Sequence, residues 1–147
     1  MNPFDWKAVL LEKHAQHVVL IHFPIALFIV AVGLDALGQW SRNKSLLQAA
    51  YYNFTVAAAF TLPVIATGLV AWQWQLEGHH LKGVLLYHLV SGVLASVFIW
   101  VSWWIHFRES RRKSGALPLW RIAVEVVGVL FVGLAGLLGG ILSGVNS

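Results

Sequence analysis

Residues 18–38 read VVLIHFPIALFIVAVGLDALG, a segment in which only His22 and Asp35 can carry a charge. An α-helix rises ~1.5 Å per residue, so these residues extend about 32 Å, enough to cross the ~30 Å hydrocarbon core of a bilayer. A backbone inside lipid must satisfy its own hydrogen bonds, and a helix does so within one segment. The stretch therefore predicts a transmembrane helix.

Three further apolar segments repeat this pattern along the chain. The four predicted spans are 18–38, 49–74, 83–107 and 119–142. The segments between them are short, so consecutive spans run antiparallel. We expect one domain over 1–147, an all-α integral membrane protein folded as an up-down-up-down four-helix bundle. The apolar spacing of residues 2–16 predicts a short interfacial helix before the first span.

The composition excludes several other classes of protein. Hydrophobic residues make up 59% of the 147 residues and charged residues 11%, whereas a soluble domain has about 25% charged residues. Without cysteine, the chain forms no disulfide, thiolate metal site or iron–sulfur cluster. We expect no cleavable signal peptide, because the first apolar segment is too long. No phosphate-binding loop or hydrolase motif is present, so a hydrolytic or nucleotide-driven function has no residues to support it.

The distribution of basic residues predicts the orientation. The side with the first and third loops carries seven: Arg42, Lys44, Arg108, Arg111, Arg112, Lys113 and Arg121. The opposite side carries three: Lys7, Lys13 and Lys82. Cytoplasmic loops hold the excess of Lys and Arg. This topology explains the net charge of +4 without nucleic acid, and it predicts a bacterial cytoplasmic (inner) membrane protein with both termini periplasmic.

The histidines gather on the side of the termini. His14, His17, His22, His79, His80 and His88 lie there, and His106 lies at the other end. His22 and His88 are four and five residues inside parallel spans, about 6–8 Å below the boundary. Two imidazoles at matched depth on separate helices are what bis-histidine ligation of haem b requires. We therefore predict His22 and His88 as axial ligands of a haem near the periplasmic face.

Residues around His88 support a cofactor there. Ser91 and Gly92 begin a stripe of small residues, continued by Ala95 and Ser96, that would leave room for a planar ring. Lys82, with His79 and His80, could meet propionate carboxylates at the mouth of the site. The alternative is that small residues simply pack the helices closely, and that His22 and His88 hydrogen-bond to the backbone or to each other.

A copper or zinc site made by His17, His79 and His80, with or without His22, is a second hypothesis. His17 and His22 are five residues apart, which places them about 140° apart on a regular helix. They therefore serve one metal together only if the helix begins irregularly, for example near Pro24. His14 and His106 are predicted to be interfacial residues.

Two acidic residues, Asp35 and Glu125, are predicted at similar depth near the cytoplasmic side. They form either a proton-handling pair or a set of arginine-paired carboxylates, since Arg121 is one helical turn from Glu125. We favour the second interpretation, because the middle of the bundle offers few polar groups for a proton path.

The segment HVVLIHFPIA (residues 17–26) resembles the opening of a family of bacterial four-span membrane proteins, the domain of unknown function numbered 2231. The resemblance continues through Asp35, Thr67-Gly68, His88 and Gly139-Gly140. Members commonly have proline where this chain has Val18, and often a further histidine after the glycine pair, where this chain has residues 141–147. The resemblance implies a cytoplasmic-membrane protein linked to redox chemistry, and it supplies no activity.

These observations favour a small b-type cytochrome-like subunit of a bacterial membrane electron-transfer complex. It would exchange electrons with a larger redox complex, a periplasmic carrier or a quinol, and would be an electron-transfer or accessory subunit rather than a stand-alone enzyme. One alternative is a cofactor-free accessory subunit whose glycine-lined fourth span docks a larger neighbour. The other is a histidine-based copper or zinc handling protein.

Overall fold

Four long α-helices make up the fold. A computed structural model describes residues 13–75, 81–111 and 119–143. The helices are α1 (Lys13–Ser41), α2 (Lys44–Gln75), α3 (Gly83–Arg111) and α4 (Trp120–Leu142). All four are long and apolar enough to cross a membrane, and the described residues contain no strand. The predicted all-α four-helix transmembrane fold is thus confirmed.

Helix boundaries follow the predicted spans closely but extend beyond some of them. The first span, predicted over 18–38, lies inside a helix of 29 residues, about 44 Å long. That length exceeds the hydrocarbon core, so the polar ends of α1 reach into the interface. The interfacial helix expected over residues 2–16 falls mostly on 1–12, outside the described residues.

A tight turn joins α1 to α2. Asn43 caps α2 by accepting hydrogen bonds at Oδ1 from the backbone N–H groups of Ser45 and Leu46, as an N-cap residue does. Arg42 adopts a left-handed φ of 53°. At Gly38 a Cβ atom would lie 2.7 Å from the Leu47 side chain, so glycine allows the two helices to approach. The turn closes the first helical hairpin.

The bundle consists of two hairpins, α1–α2 and α3–α4. Packing is more extensive within each hairpin than across the seams between them, α2 against α3 and α1 against α4. Near the middle of one seam, Trp100 Nε1 donates a hydrogen bond of 2.9 Å to Thr61 Oγ1. We call the end where α1 and α3 begin the terminal end, and the end where they finish the loop end.

The outer surface of the bundle differs from that of a soluble protein. Large apolar side chains such as Leu62, Leu130 and Leu137 are exposed on the outside of the bundle, whereas Asp35, Arg121 and other polar groups are buried. This arrangement suits a protein whose surface faces hydrocarbon and whose ionisable residues face the bundle interior.

The core centres on two phenylalanines and is filled mainly by alanines, with Ile99 and Val132. Phe28 of α1 and Phe54 of α2 are fully buried, with ring centroids 5.7 Å apart. On α4, a Cβ at Gly128 would lie 2.8 Å from Phe28 Cζ and 3.1 Å from Phe98 Cβ. Gly128 therefore lets α4 approach the core, as small residues do in membrane bundles. Gly136 also packs inward, with its Cβ position 3.4 Å from Ile25 Cδ1.

Replacing Gly128 with alanine should destabilise the bundle. The added methyl group must displace a fully buried ring, and overpacking of this kind costs about 1–3 kcal/mol. The free energy of unfolding in mixed detergent micelles measures the effect. Gly133→Ala is the matched control on the same helix, because nothing lies within 4 Å of its Cβ position. Equal stability of the two variants would contradict this account of the core.

Candidate functional site

Two histidines approach each other at the terminal end. His17 of α1 and His88 of α3 have ring centroids 6.4 Å apart and ring planes at 85°. Both side chains are half-buried. We call them the histidine pair. One ring belongs to each hairpin, so the pair bridges the two halves of the bundle.

The partner helix α2 fixes the ring of His17. Its Nδ1 lies 3.1 Å from Thr67 Oγ1. The Thr67 hydroxyl already donates its hydrogen to the backbone carbonyls of Pro63 and Val64, so Oγ1 accepts and Nδ1–H donates. A Cβ at Gly68 would lie only 2.9 Å from His17 Cε1, so a glycine is required beside the ring.

Helix α4 fixes the ring of His88 in a similar way. Nδ1 lies 3.0 Å from the backbone carbonyl oxygen of Ala135, which can only accept, so Nδ1–H donates. A Cβ at Gly139 would lie 3.1 Å from His88 Cε1. Both members of the histidine pair thus have a hydrogen-bonded Nδ1 and a glycine beside Cε1. In the neutral form each ring carries its lone pair on Nε2, the tautomer of a metal-ligating histidine.

A cavity of about 60 Å³ lies between the hairpins beside His88. All four helices contribute to its wall, and α3 supplies the small residues Gly92, Ala95 and Ser96. Gly92 therefore faces the space expected for a cofactor. Ser91 does not line the cavity; its hydroxyl donates to the Tyr87 carbonyl within α3.

The sequence analysis predicted that His22 pairs with His88. The structure does not bring these two side chains together. His22 is exposed, and its Nδ1 lies 2.6 Å from the Val18 carbonyl of its own helix. Since His17 and His22 differ by about 140° around α1, the rotation that turns His17 inward turns His22 outward. Among the described residues, His17 is the histidine that meets His88.

Of the other predicted site residues, the structure describes some and leaves others outside its described ranges. Lys82 is exposed immediately before α3, where the sequence analysis expected a group at the mouth of the site. His79 and His80, assigned to a propionate-binding or metal role, lie outside the described residues, as does the side chain of His14.

A second polar group, the ionic cluster, lies at the loop end and consists of Asp35, His106, Arg121 and Glu125. Arg121 Nη1 donates to Asp35 Oδ2 and, at 3.0 Å, to Glu125 Oε1. His106 Nε2 lies 3.0 Å from the same Glu125 oxygen. The four residues are only 2–6% exposed. Phe54 of α2 stacks on the His106 ring, with centroids 4.5 Å apart.

This cluster agrees with the arginine-paired interpretation of Asp35 and Glu125, and it includes a residue that the sequence analysis missed. His106 was predicted to be interfacial, but it is buried against Glu125 on another helix. The signal was present in the chain, because His106 follows His88 by 18 residues, five helical turns. The two histidines therefore share a face of α3, and if one points inward the other does as well.

Three residues of the ionic cluster have the ligand types of a cation site. Asp35, His106 and Glu125 offer ligand atoms within 4.8 Å of one another. The guanidinium of Arg121, however, donates to both carboxylates and supplies the positive charge that a metal ion would bring. We therefore describe the cluster as an ion-pair network rather than as a metal centre.

The chain belongs to the family described as predicted membrane protein (DUF2231), whose model matches residues 13–145. No curated protein matches the chain, and no solved structure matches it. The family resemblance inferred from residues 17–26 is thus confirmed, and the match covers the histidine pair and the ionic cluster alike.

Replacing Arg121 with glutamine should strongly destabilise the bundle. The change leaves Asp35 and Glu125 as buried carboxylates without their cation, and breaking a buried pair in this way costs about 3–5 kcal/mol. Thermal unfolding of the helical circular dichroism signal in detergent measures the loss. Arg108→Gln, at an exposed position on α3, is the matched control. An unchanged Tm for Arg121→Gln would show that the cluster does not hold the hairpins together.

Proposed function

We propose that this DUF2231 protein is a small b-type cytochrome that binds haem b through His17 and His88 and transfers electrons at the terminal end. The observation that carries the proposal is the histidine pair. The proposal keeps the haem expected from the sequence and replaces His22 by His17 as one axial ligand.

The separation of the two rings supports ligands on opposite sides of one metal. With metal–nitrogen bonds of about 2.0–2.1 Å, two imidazoles in this arrangement have ring centres about 6.3 Å apart. The centroids of His17 and His88 are 6.4 Å apart. At a tetrahedral metal the same bonds would bring the ring centres to about 5 Å. The separation of the pair therefore fits a haem iron that His17 and His88 would hold from two hairpins more closely than it fits a tetrahedral zinc or copper ion.

The hydrogen bonds behind the rings support the same role. A metal-ligating histidine usually donates its other ring N–H to a carbonyl, carboxylate or similar acceptor, which fixes the tautomer and the ring orientation. His88 donates to the Ala135 carbonyl and His17 to the Thr67 hydroxyl. Each hairpin thus supplies one ligand and its orienting partner. Haem bound between them would supply reversible one-electron chemistry.

The volume of the cavity beside the histidine pair limits how haem could bind. A cavity of about 60 Å³ is smaller than a porphyrin, so the side chains and helix segments around it must move to admit one while His17 and His88 keep their separation. Two features favour such movement: the seams are less extensively packed than the hairpins, and the cavity wall is formed in part by Gly92, Ala95 and Ser96. The proposal assigns contact with the propionates near the membrane surface to Lys82, which is exposed before α3.

The setting of this electron transfer is part of the proposal. A bundle that holds a haem near one membrane surface, and whose sequence contains no recognised enzyme motif, would accept electrons from one partner and pass them to another. Its expected partners are a larger membrane redox complex, a periplasmic carrier or a quinol. The orientation predicted from the basic residues puts the histidine pair on the periplasmic side of a bacterial inner membrane.

Alanine at either member of the histidine pair should remove most of the bound haem. Protein purified in mild detergent from haem-replete cells should show a Soret band, with sharp α and β bands after reduction by dithionite. His17→Ala and His88→Ala should lose these bands, because each removes an axial ligand. His22→Ala, at an exposed position of the same helix as His17, is the matched control and should retain them.

Other outcomes would contradict the proposal in distinct ways. Loss of haem in His22→Ala with retention in His17→Ala would support the pair predicted from the sequence. Stoichiometric copper or zinc without a Soret band would favour a metal-handling protein. Colourless, metal-free parent protein that copurifies with a larger complex would favour an accessory subunit.

Replacing Thr67 with valine tests the orienting hydrogen bond separately from the ligand. The variant keeps the shape of the side chain but removes the acceptor for His17 Nδ1–H, and loss of such a partner typically weakens a metal site about 10–100-fold. Haem titration of the apoprotein measures the affinity. Thr55→Val is the control on the same helix, since the Thr55 hydroxyl bonds to the Tyr51 carbonyl. Equal affinities of the two variants would remove Thr67 from the site.

A further inference from the structure

We propose that the ionic cluster at the loop end binds one exchangeable proton, held between His106 and Glu125. The inference is independent of haem, because it rests on residues at the opposite end of the bundle. The bound species is H⁺ itself, and the cluster is its site.

A count of charges in the cluster requires the extra proton. With both carboxylates ionised, Asp35 and Glu125 contribute two negative charges and Arg121 contributes one positive charge. The sum is one uncompensated negative charge on side chains that are 2–6% exposed. A buried charge without a partner is strongly unfavourable, and lipid offers no water to solvate it. One additional proton makes the cluster neutral.

The geometry identifies where that proton resides. His106 Nε2 and Glu125 Oε1 are 3.0 Å apart, a hydrogen-bond distance between a base and an acid on neighbouring helices. Arg121 donates to the same Glu125 oxygen, so this oxygen accepts from two sides, and the proposal assigns the proton to His106 Nε2 as the second donor. The flat stacking of Phe54 on His106 places the face of an aromatic ring against this charge, a favourable contact for a cation.

Within residues 13–75, 81–111 and 119–143, no second cation is paired with the carboxylates of the cluster. Helix α1 contributes Asp35, α3 contributes His106, and α4 contributes Arg121 and Glu125, whereas α2 packs against the cluster with the uncharged ring of Phe54. Asp35 Oδ1 is buried and has no hydrogen-bond partner among the described residues, so Arg121 meets only part of the negative charge of this carboxylate. His106 is therefore the side chain of the cluster that is left to compensate the remaining negative charge.

The cluster lies closer to water on the loop side of the bundle than on the terminal side. His106 is five residues before the end of α3, and Asp35 is six before the end of α1, about 8–9 Å along the helices. The histidine pair lies 18 residues away on the same helices, about 27 Å. Proton uptake is therefore expected from the loop side, without a path through the bundle.

Nitrogen NMR of ¹⁵N-histidine-labelled protein in lipid nanodiscs tests the proposal at neutral pH. His106→Gln assigns the His106 signals. In the parent protein both His106 nitrogens should be protonated. In Asp35→Asn the remaining Arg121 and Glu125 charges cancel, so one proton should be lost and His106 should become neutral, although Asp35 is not its hydrogen-bond partner. Glu109→Gln removes a similar charge from α3 outside the cluster and should leave His106 an imidazolium.

Infrared spectroscopy distinguishes the two positions of the shared proton. A protonated carboxyl band that is absent in Glu125→Gln would locate the proton on Glu125 and would still support the site. A neutral His106 together with ionised carboxylates in the parent protein would overturn the proposal. The same conclusion would follow if His106 were an imidazolium in both the parent and Asp35→Asn. If Asp35→Asn does not fold, the parent spectrum and Glu125→Gln decide.

Discussion

The contact of Arg121 with Asp35 and Glu125 is the interaction on which the arrangement of the two hairpins depends. In a bilayer the hydrophobic effect gives little reason for one hairpin to pack on the other, because lipid tails are as apolar as the helices. Arg121 of α4 joins Asp35 of α1 across the seam, and Glu125 joins His106 of α3. A buried ion pair gains little net stability after desolvation, but it penalises every arrangement that leaves one charge unpaired. Its main effect is therefore to select one register.

That register determines what meets at the other end. Asp35 follows His17 by 18 residues, His106 follows His88 by 18, and Gly139 follows Arg121 by 18. Eighteen residues make five complete turns of an α-helix, so three of the four residues of the ionic cluster, Asp35, His106 and Arg121, each share a helix face with a residue of the histidine pair or its surroundings. Once the cluster turns these faces inward, the helices turn His17, His88 and Gly139 inward as well. The rotation of the helices that buries the ionic cluster is thus the same rotation that turns the histidine pair inward.

The sequence predicted the fold well, because membrane spans are encoded locally. Length, hydropathy and short loops are properties of contiguous residues, and they predicted four helices within a few residues of their bounds. The site was predicted only in part. His88 was identified from its depth, but depth alone favoured His22 over His17, whereas the rotation of α1 excludes His22 from the interior. His106 was missed for a similar reason, since its partner Glu125 lies on another helix and depends on how the hairpins pack.

Shared faces raise the question of whether the two sites influence each other. Proton uptake at the proposed proton site and reduction of the proposed haem would each change the local charge by one. The two sites are about 27 Å apart. At an effective dielectric constant of about 20, two unit charges at that distance interact by about 0.6 kcal/mol, roughly a threefold change in an equilibrium constant. Direct electrostatics would therefore couple them only weakly. Stronger coupling would have to pass through the packing of the hairpins. Protonation of the ionic cluster would change the charges that hold α1 against α4, and a resulting shift of α1 would reach His17 on the same helix.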